Sequence, residues 1–143
     1  AALNGEYGDI LDNEVGIVSA VHIADETIKV GHANGVKFAK MGGLDLESLE
    51  LRSENDIPKR IKTFRASMEP SRLLRASMLQ DLEKKRKTEI DYINGVVPKM
   101  AEGTGISTPY NNMVVKLVKL AEESQTVPNF VVNIKFFRDM IQA

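Results

Sequence analysis

Residues 75–106 read RASMLQDLEKKRKTEIDYINGVVPKMAEGTGI, and the interpretation of the whole chain turns on this stretch. Ser77 opens a short amphipathic run, and a basic tract, Lys84-Lys85-Arg86-Lys87, follows it. Thr88-Glu89-Ile90-Asp91 has the form of a helix start, because a Thr side chain can accept from the free N–H three residues on. Glu89 is then in the first turn, where the positive helix end favours its ionised form. Ile90, Ile93, Val97 and Met100 recur at helical spacing, which predicts a helix from about Thr88 to Glu102 with one buried face. Glu89 lies on the edge of that stripe, where a carboxylate can reach a cleft without being sealed in a core. Pro98 cannot donate to the carbonyl of Asn94 and crowds it, at a cost of about 3 kcal/mol in an ordinary helix. A kink is therefore expected near Asn94. It either shapes a cleft wall or fits the helix around a neighbour.

Working outward, the other segments also have helical periods. Ala1 to Asp12 reads as a lead-in with turn formers Gly5 and Gly8. From about Asn13 to Ala33, Ile17, Val21, Ala24 and Ile28 make one stripe, and Gly35 suits a helix stop. Val36 to Asn55 is irregular: Gly42-Gly43 break it, and Leu44, Leu46, Leu49 and Leu51 suggest a short helix or packed loop that Asp45 could cap. Asp56-Ile57-Pro58 opens a run with Ile57, Ile61 and Phe64 as its buried side, ending near Met68. Leu73, Leu74, Met78, Leu79 and Leu82 follow at mixed helical spacing. Ser107 or Thr108 caps a helix that begins at Pro109 and presents Tyr110, Met113, Leu117, Leu120 and Ser124 on one face. After Pro128, a last helix carries Phe130, Ile134, Phe137 and Ile141. No alternating strand pattern competes with these. The prediction is one all-α domain over residues 1–143, a multi-helix bundle of five to seven helices joined by short loops.

Composition removes several functional classes. At 143 residues the chain can bury one real core. A net charge of −1 gives no global field for nucleic acid or an anionic membrane. The absence of cysteine excludes thiolate nucleophiles and Cys-ligated metals, and is compatible with a reducing cytoplasm. No apolar run approaches the roughly 18 residues of a membrane span. Two histidines and scattered carboxylates do not suggest a metal site. No G-x-G-x-x-G follows a strand and no Walker loop is present, so cofactor-binding residues are not expected in this chain. His22, beside Val18 and Val21, reads either as an acid–base or metal residue or as the edge of a packing face. The tract from Lys84 to Lys87 is flanked by Glu83 and Glu89 without interleaved aromatics, which favours a solvated face over a nucleic-acid footprint.

Ser77-Met78-Leu79-Gln80-Asp81, then Thr88-Glu89-Ile90-Asp91-Tyr92-Ile93-Asn94-Gly95, then Gly105-Ile106-x-Thr108-Pro109-x-Asn111 resembles the C-terminal domain of ketopantoate reductase (2-dehydropantoate 2-reductase). The resemblance implies a helical domain of the kind also found in 6-phosphogluconate dehydrogenase-like proteins. It implies NADPH-dependent reduction of a 2-keto acid, ketopantoate to pantoate, in pantothenate biosynthesis. In that family the residues matching Ser77 and Glu89 line the substrate pocket, and the Glu assists catalysis. Asp81 and Asn94 match positions read as structural, Asp81 holding local backbone and Asn94 supporting the site from behind. An N-terminal Rossmann domain binds NADPH in the family, and a lysine at the start of the helical half acts as general acid. Both are expected to be missing from this chain, and the fragment alone is expected to be inactive. The family shows Asn-Gly-Glu just after the first residues, where Tyr7-Gly8-Asp9 is read here, a departure that removes one substrate-binding amide. A rival reading is a non-catalytic helical interaction module. In it, the stripes Phe130-Ile134-Phe137-Ile141 and Ile17-Val21-Ala24-Ile28 would form a partner surface, for example in a homodimer.

Overall fold

A computed structural model describes residues 1–40 and 44–143. The predicted Gly42-Gly43 break lies outside the described residues. Among the described residues there are seven α-helices: α1 Tyr7–Asp12, α2 Glu14–Ala33, α3 Ile57–Met68, α4 Ser77–Glu83, α5 Val96–Ala101, α6 Pro109–Ser124 and α7 Phe130–Gln142. Short 3-10 turns sit at Leu46–Leu49, Glu54–Asp56, Glu69–Ser71 and Ile90–Tyr92. Among the described residues there is no sheet, only one isolated bridge between Glu6 and Arg75. The all-α expectation holds.

The long helix α2 is the axis of the bundle and touches α1, α3, α5, α6 and α7. Its start follows from Asn13, whose Oδ1 accepts from the Gly16 N–H at 2.9 Å. Its stop follows from Gly35, which adopts φ +74°. Ile17, Val21 and Ile28 are buried as the stripe predicts. The stripe of α7 is also consumed within the chain, since Ile134 and Phe137 are buried against Leu117, Val118 and Ala121 of α6. Most of the two stripes is therefore not available as a partner surface.

Several expectations are corrected. The lead-in contains the short helix α1. The face of α3 is only half-buried, with none of its residues in the core. In α6, Leu120 is exposed and Val118, Ala121 and Asn111 take the inner positions. The largest correction concerns residues 88–102. No continuous helix runs there. A 3-10 turn at Ile90–Tyr92 ends at Ile93, whose φ −106° and ψ −89° break the helical path, and α5 begins only at Val96. Pro98 explains the late start: it is then the third residue of α5, where its missing N–H is one the helix would leave unpaired in any case. The predicted kink is a helix boundary instead. Ile90 and Val97 are buried, but the break turns Ile93 outward.

Candidate functional site

Ser77 is the first residue of α4, and its side chain is exposed. An ion pair between Arg75 and Glu83 brackets it. Glu89 is exposed as well and precedes the 3-10 turn, so it lies outside the first turn of α5. Its carbonyl accepts from Tyr92 and Ile93 at 2.9 and 3.2 Å. Thr88 does not serve as a simple cap. Its N–H and Oγ1–H both donate to Glu122 Oε1, at 2.6 and 2.7 Å. Its oxygen meets the Ile90 N–H at 3.3 Å, one residue short of the predicted partner. This tie to α6 anchors the segment that presents Glu89. At Asp81 the main-chain carbonyl accepts from the Arg86 N–H at 2.8 Å.

Beside these segments is a cleft of about 200 Å³. Met78, next to Ser77, and Asn94, five residues after Glu89, both line it. Leu3, Ile23, Val114 and Phe137 supply an apolar wall. Asn94 is thus on the cleft wall. Its Nδ2 donates to Asn111 Oδ1 at 3.0 Å. Asn111 is completely buried, and its own Nδ2 donates to Glu26 Oε2 at 2.7 Å and to the Ile23 carbonyl at 3.2 Å. The Glu26 carboxylate also accepts the N–H groups of Tyr110 and Asn111, at 2.8 and 2.9 Å. Tyr110 and Asn111 follow Pro109 in the first turn of α6, whose N–H groups have no intrahelical partner. Thr108 provides no side-chain cap. An acid from α2 provides it, and burial pushes that carboxyl above its ordinary range against the pull of these hydrogen bonds.

A larger cleft, about 420 Å³, opens on another face of α2. Its acids are mostly engaged: Asp25 accepts from the Leu51 N–H at 2.7 Å and from Lys29 at 2.8 Å, and Glu26 caps α6. His22 there stacks on Tyr110, with ring centres 4.5 Å apart and 7° between planes. Its Nε2 lies 4.0 Å from Glu54, and burial holds the imidazole pKa below its usual value. That is the packing-edge role. Among the described residues no group of three or more His, Asp or Glu could hold a metal. No helix there is long and apolar enough to cross a membrane.

Two features escaped the sequence reading. Glu26 lies on the face of α2 opposite the predicted stripe, yet it is buried, and helical periodicity does not register that burial. The other is an amide. Asn-Gly-Glu is present as Asn4-Gly5-Glu6, earlier than the position read at Tyr7-Gly8-Asp9. Asn4 has φ 53°, and its neighbours Leu3 and Gly5 line the smaller cleft. The tripeptide itself was the available signal.

The family model "Ketopantoate reductase PanE/ApbA C terminal" matches residues 1–122, which leaves α7 outside the match. A 2-dehydropantoate 2-reductase of Pyrococcus horikoshii is 31% identical over 122 residues, covering 85% of this chain and 35% of the relative. One from Streptococcus pyogenes serotype M6 is 32% identical over 125 residues, covering 85% and 34%. Among solved structures, a PanE/ApbA family ketopantoate reductase from Ralstonia eutropha JMP134 superposes with a TM-score of 0.65 at 26% identity, covering 87% of this chain and 37% of that one. A D-mandelate dehydrogenase, solved with NADH and anilino(oxo)acetate, gives 0.64 at 28% identity, covering 87% and 45%. The chain spans about a third of the length of these curated relatives. It belongs to the ketopantoate reductase family, matching its C-terminal helical part.

Proposed function

We propose that this domain forms the substrate side of an NADPH-dependent 2-keto acid reductase, acting on 2-dehydropantoate in cytoplasmic pantothenate biosynthesis. The observation that carries the reading is the cleft of about 200 Å³ with Met78 and Asn94 on its wall. Both flank the residues that the family resemblance assigns to substrate, Ser77 and Glu89. Ser77 supplies a hydroxyl to the keto acid, and Glu89 supplies a carboxylate to its polar groups and assists proton movement at the reacting oxygen. Asp81 and Asn94 hold the surrounding backbone and amides.

Among the described residues no strand leads into a glycine-rich turn and helix of the kind that cradles a dinucleotide. Hydride chemistry is assigned to NADPH on a separate Rossmann domain. The surface beside the site fits such a neighbour. Leu73 and Leu74, before Ser77, are 78% and 56% exposed, and Tyr92 and Ile93, after Glu89, are 84% and 49% exposed. Large apolar side chains exposed on the segments that carry Ser77 and Glu89 suit contact with a neighbouring domain.

The test mixes the chain with NADPH and 2-dehydropantoate. No cofactor oxidation is expected from the chain alone, and turnover is expected when a Rossmann domain of a family member is supplied. Oxidation without that domain would contradict the reading. With both domains present, Glu89→Ala should lower kcat/KM, and unchanged turnover and affinity would remove Glu89 from the site.

A further inference from the structure

We propose that Asn94 is a specificity-determining residue that reads a hydroxyl group on the keto acid, with its Oδ1 as the acceptor. The proposal rests on the reductase reading and adds to it the residue that tells a hydroxylated keto acid from its deoxy analogue.

The orientation of each amide follows from hydrogen-bond valence. Backbone N–H groups can only donate, so both Glu26 oxygens accept, from Tyr110 and from Asn111. The end of the Asn111 side chain facing Glu26 Oε2 and the Ile23 carbonyl meets two acceptors, at 2.7 and 3.2 Å. Only an NH₂ group satisfies both. Asn111 therefore turns its Oδ1 the other way, toward Asn94. An oxygen can only accept, so Asn94 must present its Nδ2 there, at 3.0 Å. Asn94 Oδ1 is then the free end, without a protein partner among the described residues, on a side chain that lines the cleft. Two buried groups thus dictate the polarity shown to a ligand: an acceptor, suited to an O–H donor. The wall around it is apolar, with Leu3, Ile23, Val114 and Phe137, and suits branched hydrocarbon. Of the other polar side chains on the wall, Ser19 already donates its hydroxyl to the Val15 carbonyl at 2.7 Å, and Tyr7 brings a phenol.

The test compares two acids that differ by one hydroxyl: 2-dehydropantoate and 3,3-dimethyl-2-oxobutanoate. Each is titrated into the chain and followed by the methyl and side-chain amide signals in NMR spectra. The hydroxylated acid should bind about tenfold more tightly, the value of one neutral hydrogen bond. Asn94→Leu should bring that ratio near one. Asn111→Ser, which frees the Asn94 amide to rotate, should lower the ratio with Asn94 itself intact. Should Asn111→Ser fail to fold, the Asn94→Leu ratio decides alone. Equal binding of both acids by the unaltered chain, or a ratio that survives Asn94→Leu, would overturn the proposal and leave the reductase reading standing. Binding of neither acid would count against both.

Discussion

Replacement of Glu26 by alanine tests the central packing argument most directly. The carboxylate caps α6 from another helix, taking the N–H groups of Tyr110 and Asn111 at 2.8 and 2.9 Å. Alanine leaves both without an acceptor. The Asn111 amide loses its 2.7 Å bond but keeps the Ile23 carbonyl at 3.2 Å. An orphaned buried donor costs about 1–3 kcal/mol. Water can reach this point from the neighbouring cleft, which Glu26 also lines, so the low end of that range applies to each donor. Removal of an acid that burial disfavours returns part of the loss. The net destabilisation is about 2–3 kcal/mol, within the range for loss of a buried network. At about 3–4 °C per kcal/mol for a domain of this size, Tm should fall by roughly 10 °C. Far-UV circular dichroism during a thermal ramp measures the shift, and amide hydrogen exchange should accelerate at Tyr110 and Asn111 before it does elsewhere. A fall below roughly 2 °C, or unchanged exchange at those two amides, would refute the idea that α2 caps α6.

Other expectations follow from the same geometry. The raised Glu26 pKa means that the folded state holds this proton to higher pH than the unfolded chain does. Its contribution is fully present below the ordinary carboxyl range and is lost as pH rises through the folded value; urea titrations should show that this component of the slope disappears in Glu26→Gln. Gly95→Ala would bring a Cβ to 2.8 Å from the Asp91 Cα and 2.9 Å from its carbonyl oxygen. Because the obstacle is backbone, a loss of about 2–3 kcal/mol is expected in denaturant unfolding, with shifted NMR signals for the adjacent Asn94. Lys85, by contrast, holds φ 55°, a conformation that costs a side-chain-bearing residue about 1 kcal/mol. Lys85→Gly should recover part of that strain after the entropy of the added glycine is subtracted, so a small gain or no change in Tm is expected, and a loss of several degrees would contradict it. Thr88→Ala removes the 2.7 Å hydrogen bond to Glu122 and should cost about 1 kcal/mol by the same assay.

Local signals account for much of what was legible from the residues alone. Asn13 and Gly35 bound α2, and Ile17, Val21 and Ile28 mark its inner face. Each rests on interactions within four residues or on a regular period, and such information is written along the chain. The motif around Ser77 and Glu89 likewise carried the family, because order and spacing survive in sequence.

Tertiary structure alone decided the rest. The break at Ile93 depends on Ile90 being held in the core and Thr88 being tied to Glu122 across 34 residues, so the apolar period that suggested one helix there was satisfied by two separate pieces. The capping of α6 depends on an acid more than eighty residues upstream, chosen by which side chain of α2 faces that helix end. Asn94 became a cleft-lining group with a set polarity only through two buried partners distant in sequence. Periodicity says which residues turn inward, but a buried polar group needs a specific partner at hydrogen-bond distance. That partner is determined by how helices dock and not by where it falls in the chain.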